Sequence, residues 1–302
     1  MSRSVTLLGI LLSAAACLAA PGPAQAQSPA PVDRPGGANY RMDSDAWDGL
    51  SRLASMLDSL GMPWSQVDSV SLPDLPARSV LVLLYPTSEL PLDAIIEHIE
   101  TGGNILLADD FGSAGPLLAR VGLHREVPVG AGQPATPESA LLRATAVGHH
   151  PLSDSARTLL TNHPSALWGL DGAAFRFDAR LAAVYDMSIG AGRVVVLSDP
   201  SILTNLMLER ADNLAFARSA VRLLCDNRPG CRIVVASDGA RITGGGAAVK
   251  ARALAERFRD ANGILRAAQA EGLPASVLAW LALLLFATAL STLFRFFPRN
   301  QP

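Results

Sequence analysis

Lysine is nearly missing from this chain of 302 residues: Lys250 stands alone, and every other basic residue is an arginine, a bias that reads as coding preference. Aromatic residues make up only 5% of the chain, and the formal net charge is −2. A chain without a basic surplus lacks the field that gathers phosphates, and so few aromatics leave few platforms for stacking bases. Nucleic acid is excluded as an expected partner. Cysteine is also scarce, with three residues, and none is separated from another by the two residues of a redox motif. Charge vanishes altogether between Gly272 and Phe294.

What is present reads first as an exported protein. Arg3, an apolar run from Val5 to Ala20, then Pro21, Pro23 and the triplet Ala24-Gln25-Ala26 fit a signal peptide over residues 1–26. Cys17 admits a lipid-anchor alternative, although Ala14-Ala15-Ala16 before it lacks the usual aliphatic residue. Residues 27–38 are a Pro/Gly linker with nothing to bury. After cleavage Cys225 and Cys231 remain, six positions apart in a compartment that permits disulfides, and a bridge is the natural reading. A metal pair would need nearby His ligands, which are lacking.

The stretch Arg193 to Cys225 organises the rest. Val194 to Leu197 is an unbroken apolar run, as expected for a central parallel strand covered on both faces, and Ser198, Asp199 and Pro200 end it before a long helix. Upstream, Trp47, Leu50, Leu53, Leu57 and Leu60 recur at helical spacing before Gly61; Val80 to Tyr85 is a buried strand; Pro91 to Glu100 is a helix. Asn104 to Ala108 is the next strand, Asp109 to Gly112 its turn, and Pro116 to Val121 a short helix. This alternation predicts one α/β domain over residues 39–227 built on a doubly wound, mostly parallel sheet. Val127 to Thr136 is rich in Gly and Pro, and Ala173 to Met187 alternates like a hairpin, antiparallel at one edge. Residues 228–272 supply one more strand, Arg232 to Asp238, and an amphipathic stalk helix.

The uncharged segment is long enough to cross a hydrocarbon slab of about 30 Å. The sequence therefore predicts a transmembrane helix over residues 273–297, with Trp280 and the pair Arg295 and Arg299 as interfacial anchors, and a cytoplasmic tail over residues 298–302. The main domain is then expected on the periplasmic side of a single-pass cytoplasmic membrane protein.

Three polar constellations are candidates for function. Asp109 and Asp110, at a strand end, suit a general acid/base or metal pair; equally, one caps the following helix while the other faces water. Ser198, Asp199, Asn205 and Asn213 offer donors and acceptors at the carboxyl edge of the sheet, where ligands of open α/β sheets bind, and turn or cap duty explains the first two as well. His149, His150 and His163 lack metal-ligand spacing and read as surface-loop residues. No metal or cofactor is expected.

Taken together, LLYP, GGNILLADDFG and GRVVVLSDPSILTN with ADNLAFA beyond it, followed by the apolar C-terminal segment, resemble a bacterial membrane-anchored family of domains of unknown function. The resemblance covers about Tyr40 to Leu224. It implies a class I glutamine amidotransferase-like (flavodoxin-like) fold and partners in the envelope, since members are often encoded beside MoxR-type AAA+ ATPases. Many members carry an acid and His pair before the membrane helix; here that region reads VVASDGARITGG, without the His. Amidotransferase chemistry needs a Cys thiolate on the turn after a central strand and a His base, and Ala108 to Gly112 has no Cys. Ser113 lacks the flanking glycine pattern of a nucleophile elbow, with Phe111 two residues before it. The expectation is a noncatalytic extracytoplasmic interaction or scaffold domain; the alternatives are a ligand sensor with its pocket near Asp199 and a hydrolase using Asp109 or Asp110.

Overall fold

The computed structural model describes residues 40–76, 78–127, 141–169, 171–227, 230–274 and 276–284. The leader and linker expected over residues 1–38, Cys17 with them, the tail 298–302, and all of Val127 to Thr136 beyond Val127 itself lie outside the described residues.

The chain opens with α1 (Ser51–Ser59), whose Leu53, Ala54, Met56 and Leu57 form one buried face and which ends before Gly61 at φ +64°. The short strands β1 (Trp64–Gln66) and β2 (Ser69–Ser71) follow, then β3 (Ser79–Leu84), α2 (Leu92–Glu100), β4 (Asn104–Ala108) and α3 (Gly115–Arg120). Six strands come next: β5 (Leu123–Glu126), β6 (Leu141–Ala146), β7 (Thr158–Asn162), β8 (Ala166–Gly169), β9 (Ala173–Arg176) and β10 (Ala182–Ile189). The chain continues as β11 (Gly192–Leu197), α4 (Asn205–Leu208), α5 (Asn213–Leu224), β12 (Arg232–Ala236), β13 (Arg241–Thr243) and α6 (Gly246–Ala270).

These strands make an eleven-stranded sheet in the order β1-β12-β3-β4-β11-β10-β9-β6-β7, with β8 on β10 and β5 on β8; β13 and β2 form a separate parallel pair. From β1 to β11 the four pairings are parallel. From β11 onward all six are antiparallel. The expected doubly wound, mostly parallel sheet is therefore corrected to a mixed sheet. The cause is local. Gly190 at φ +61° and Ala191 are the only residues between the paired Ile189 and Gly192, and so short a connection can join only antiparallel strands. A side chain at Gly190 would also strike the backbone of Glu100. The hairpin expected within Ala173 to Met187 is present as β9 and β10, but in mid-sheet rather than at an edge.

The transmembrane part of the expected fold is also corrected: among the described residues no helix is long and apolar enough to cross a membrane. Residues 276–284 are helical, and 285–302 lie outside the described residues.

Alternation along the parallel strands divides two apolar cores. Val80, Val82, Leu84, Val195, Leu197, Ile233 and Val235 face α1 and α5, whereas Leu81, Leu83, Ile105, Leu107, Val194 and Val196 face α2 and α3. Both faces are thus covered by helices, which is why the strands read as continuous apolar runs. Each fully buried Leu or Val contributes roughly 1.5–3 kcal/mol. At the far side Phe216 of α5 meets Phe175 of β9 edge to face, with ring centroids 5.6 Å apart.

The helix that closes this core is fixed at its start by polar bonds. Asn213 is fully buried; its Oδ1 accepts from the Leu160 N–H at 3.0 Å, and its Nδ2 donates to the carbonyls of Leu160 at 2.9 Å and Met207 at 2.8 Å. Asp212 beside it accepts from the N–H groups of Arg157 and Thr158. Replacing Asn213 with Ala leaves the Leu160 N–H and C=O without this partner at about 1–3 kcal/mol each, and removes one of the bonds to the Met207 carbonyl, which also accepts from the Arg210 N–H. Urea unfolding of Asn213→Ala is expected to register a loss of about 3 kcal/mol or more; a loss below about 1 kcal/mol would contradict this assignment.

Candidate functional site

The turns after the adjacent strands β4 and β11 lie side by side at the carboxyl edge of the sheet, Ala108 pairing with Leu197 and the Asp109 N–H donating to the Leu197 carbonyl at 3.0 Å. The structure thereby brings Asp109 and Asp110 next to Ser198 and Asp199, all four buried.

Asp109 is the centre of its turn. Its Oδ1 accepts from Gly112 N–H at 2.6 Å, and its Oδ2 from Ala114 N–H at 3.0 Å and from Arg125 Nη2 at 2.5 Å. Gly112 has to be glycine, because a Cβ there would run into Asp109 Oδ1 and the Pro86 carbonyl. Arg125, on β5, also donates to the Gly112 carbonyl at 3.3 Å, while its buried Nε has no hydrogen-bond partner among the described residues. Burial pushes the Asp109 carboxyl above the ordinary carboxylate range, with the Arg125 guanidinium and then the N–H groups of Ala114 and Gly112 pulling the other way. Asp110 accepts from the Phe111 N–H at 2.7 Å. The Ser113 hydroxyl is directed at the carbonyls of Pro86 and Ser88, at 2.9 and 2.5 Å.

Asp199 begins the 3-10 turn Pro200–Leu203, accepting from Ser201 N–H and Ser201 Oγ at 2.8 Å each and from the Asn162 N–H at 2.6 Å, so it ties the end of β7 to the end of β11. The Ser198 hydroxyl is fully buried with no hydrogen-bond partner among the described residues, while the Ser198 carbonyl accepts from Ser165 Oγ at 3.0 Å.

Asn205 and Asn213 do not join them. Asn205 caps α1 from far along the chain: its Oδ1 accepts from the Arg52 N–H at 2.9 Å, and its Nδ2 donates to the carbonyls of Ser44 and Ala46 at 2.7 and 2.8 Å. Asn213 holds β7, as described above.

Of the three histidines, His149 and His163 are exposed in loops. His150 is not a bystander. Its Nδ1 accepts from the Leu152 N–H at 3.1 Å and its Nε2 lies 3.2 Å from Asp186 Oδ2, while Arg193 Nε lies 3.2 Å from Asp186 Oδ1. Burial raises the Asp186 carboxyl, opposed by Arg193 and then His150. Nothing in the sequence marked this trio, whose members come from a loop and two strands. Among the described residues no group of three or more His, Cys, Asp or Glu side chains is placed to hold a metal.

Cys225 and Cys231 are bonded to each other. They line a cavity of 510 Å³ at the amino ends of β3, β4 and β11, the opposite edge of the sheet from the one where a ligand was expected.

Residues 42–221 match the family described as Domain of unknown function (DUF4350), and the chain belongs to that family. Among curated proteins none matches it. Its similarity to solved structures is weak. The mmIFT52 N-terminal domain is 13% identical with a TM-score of 0.39, over 58% of this chain and 88% of that one. The β-galactosidase of Bacillus circulans sp. alkalophilus is 9% identical with a TM-score of 0.32, over 43% of this chain and 22% of that one. The exo-β-1,4-mannosidase Op5Man5 of Opitutaceae bacterium strain TAV5 is 14% identical with a TM-score of 0.32, over 48% and 25%. The chain thus spans about a quarter or less of either glycosidase.

Two predictions follow from the site geometry. With Arg125 removed, Asp109 becomes an unpaired buried charge, which costs about 3–5 kcal/mol. A carboxyl whose folded value lies above its unfolded one favours folding at low pH and loses that contribution as pH rises through the folded value. Unfolding of Arg125→Met by urea should therefore show a larger deficit at pH 8 than at pH 5; an equal deficit at both would contradict it. Reduction of Cys225–Cys231, which closes a short loop, should lower stability by about 2 kcal/mol in the same assay.

Proposed function

We propose that this member of the DUF4350 family is a noncatalytic interaction domain that works outside the cytoplasm. One observation carries the reading: three side chains that a reaction at the carboxyl edge would use, those of Asp109, Asp199 and Ser113, are engaged in holding backbone. Asp109 is bound by two N–H groups and Arg125, Asp199 by two N–H groups and a hydroxyl, and the Ser113 hydroxyl points at two carbonyls. A carboxylate that leaves these bonds to take a proton from a substrate gives up the turn that positions it.

Exposed apolar side chains lie close by. Phe111 is 42% exposed on the Asp109 turn, Val127 is 50% exposed just after β5, and Trp168 on β8 is 38% exposed and stacked on His124 at 4.4 Å. Aromatic anchors of this kind contribute disproportionately to protein interfaces. The Cys225–Cys231 bond and the signal-like leader support an oxidising compartment. By the family resemblance carried by the sequence, the partner belongs to an envelope assembly linked to a MoxR-type AAA+ ATPase.

The test is to recover cross-linked complexes from the native host with the tagged full chain. Phe111→Glu and Trp168→Glu are expected to remove the partner, and Asp110→Asn to leave both complex and phenotype intact. If Asp110→Asn abolishes the phenotype while the complex persists, the domain performs a reaction and this reading fails.

A further inference from the structure

We infer that the 510 Å³ cavity at the amino ends of the parallel strands is an anion-binding site, built by Arg78, Arg193 and Arg259 for a small molecule carrying a carboxylate or phosphate group. Its volume falls within the range of small-molecule pockets, about 300–1,000 Å³.

Three separate segments deliver the arginines: the turn before β3, the start of β11, and α6. Among the described residues the Arg78 side chain makes no hydrogen bond or ion pair; Arg259 uses only its Nε, towards the Ala255 carbonyl at 3.4 Å. Arg193 uses only its Nε, towards Asp186, so its two terminal nitrogens have no protein partner. Three guanidinium forks, each able to grip an oxyanion with two N–H groups, thus border one cavity with their terminal donors unused. Arg78 also sits at φ +61°, a left-handed conformation that is strained for a non-glycine residue. Its carbonyl accepts from the Arg232 N–H at 3.2 Å, which pins the strained turn to the sheet.

The helix-end carbonyls around the cavity, by contrast, are engaged. α2 and α5 both end there, and a free helix C-terminus attracts cations. Here the last carbonyls of α2 are taken: Glu97 by the Thr101 N–H, His98 by Gly103, Ile99 by Gly102 and Glu100 by Ala191. Those of α5 are taken by the N–H groups of Cys225, Asn227 and Asp226, and that of Leu224 by Asn104 Nδ2 at 2.5 Å. Two carboxylates line the cavity. Asp226 has a partner of its own, and Asp260, exposed on α6 like Arg259 beside it, is one carboxylate against three guanidinium groups. Spare donors therefore outnumber spare acceptors, and the ligand that completes them is negative. The site lies across the sheet from the turns of Asp109 and Asp199, and does not depend on partner binding there.

Calorimetric titration of the full chain with inorganic phosphate, and separately with citrate, tests this. At least one anion is expected to bind one to one. Arg78→Gln and Arg259→Gln change exposed side chains without packing duty. Each should weaken binding about tenfold, the two together about a hundredfold, as the loss of one charged hydrogen bond apiece predicts. Tighter phosphate binding assigns the ligand to phosphorylated compounds, and tighter citrate binding to carboxylates. Failure of both anions to bind at millimolar concentration overturns the proposal, as does binding that survives the double change.

Discussion

A sheet that changes from parallel to antiparallel pairing in mid-course leaves backbone groups at its turns and helix starts without ladder partners, and a buried N–H or C=O left unpaired is costly. This chain meets that constraint with buried carboxamides and carboxylates. Asn213 and Asp212 bind the β7 backbone to the start of α5, Asn205 starts α1, Asp199 joins β7 to β11, and Asp109 shapes the turn after β4. Asn104 bridges the start of β4 to both β11 and the end of α5, and Gln66 ties the Tyr40–Met42 backbone to Ser237. Polar residues that look catalytic in a list of letters are thereby the joints of the fold.

Much of the parallel half was legible because buried strands write themselves as uninterrupted apolar runs. VLVLLY, NILLA and VVVL became β3, β4 and β11, and RIVVA became β12, which takes an interior place between β1 and β3. The reversal after β11 turned on two residues, Gly190 and Ala191, and a two-residue turn between a long alternating strand and an apolar one is easily passed over. The three-residue strands β1, β2 and β13 carry too few positions for any period to register. Strands β5 and β8 pair across the stretch of chain from Glu126 to Ala166, which no local pattern announces.

The same limits applied to the site. Asn213, a candidate binding residue in the sequence, lies at the first position of α5 and bonds the β7 backbone. Arg125 did not stand out, because its bond to Asp109 spans sixteen residues and exists only once β5 has docked. His150, read as a loop residue, proved to face a buried acid for the same reason: Asp186 lies on a strand thirty-six residues away in sequence. The expectation of a ligand at the carboxyl edge followed from parallel sheets in general. Here Asp109 and Asp199 at that edge form capping bonds, and a cavity opens at the other end.

Amide hydrogen exchange tests most directly whether these side chains are joints. If Asp109, Asp199, Asn205 and Asn213 hold backbone in place, the N–H groups of Gly112, Ala114, Asn162, Ser201, Arg52 and Leu160 exchange as slowly as those of the core strands β3 and β4. If they exchange near the rate of unprotected amides while β3 and β4 stay protected, the polar residues of the carboxyl edge are free for another task, and the structural account of them is wrong.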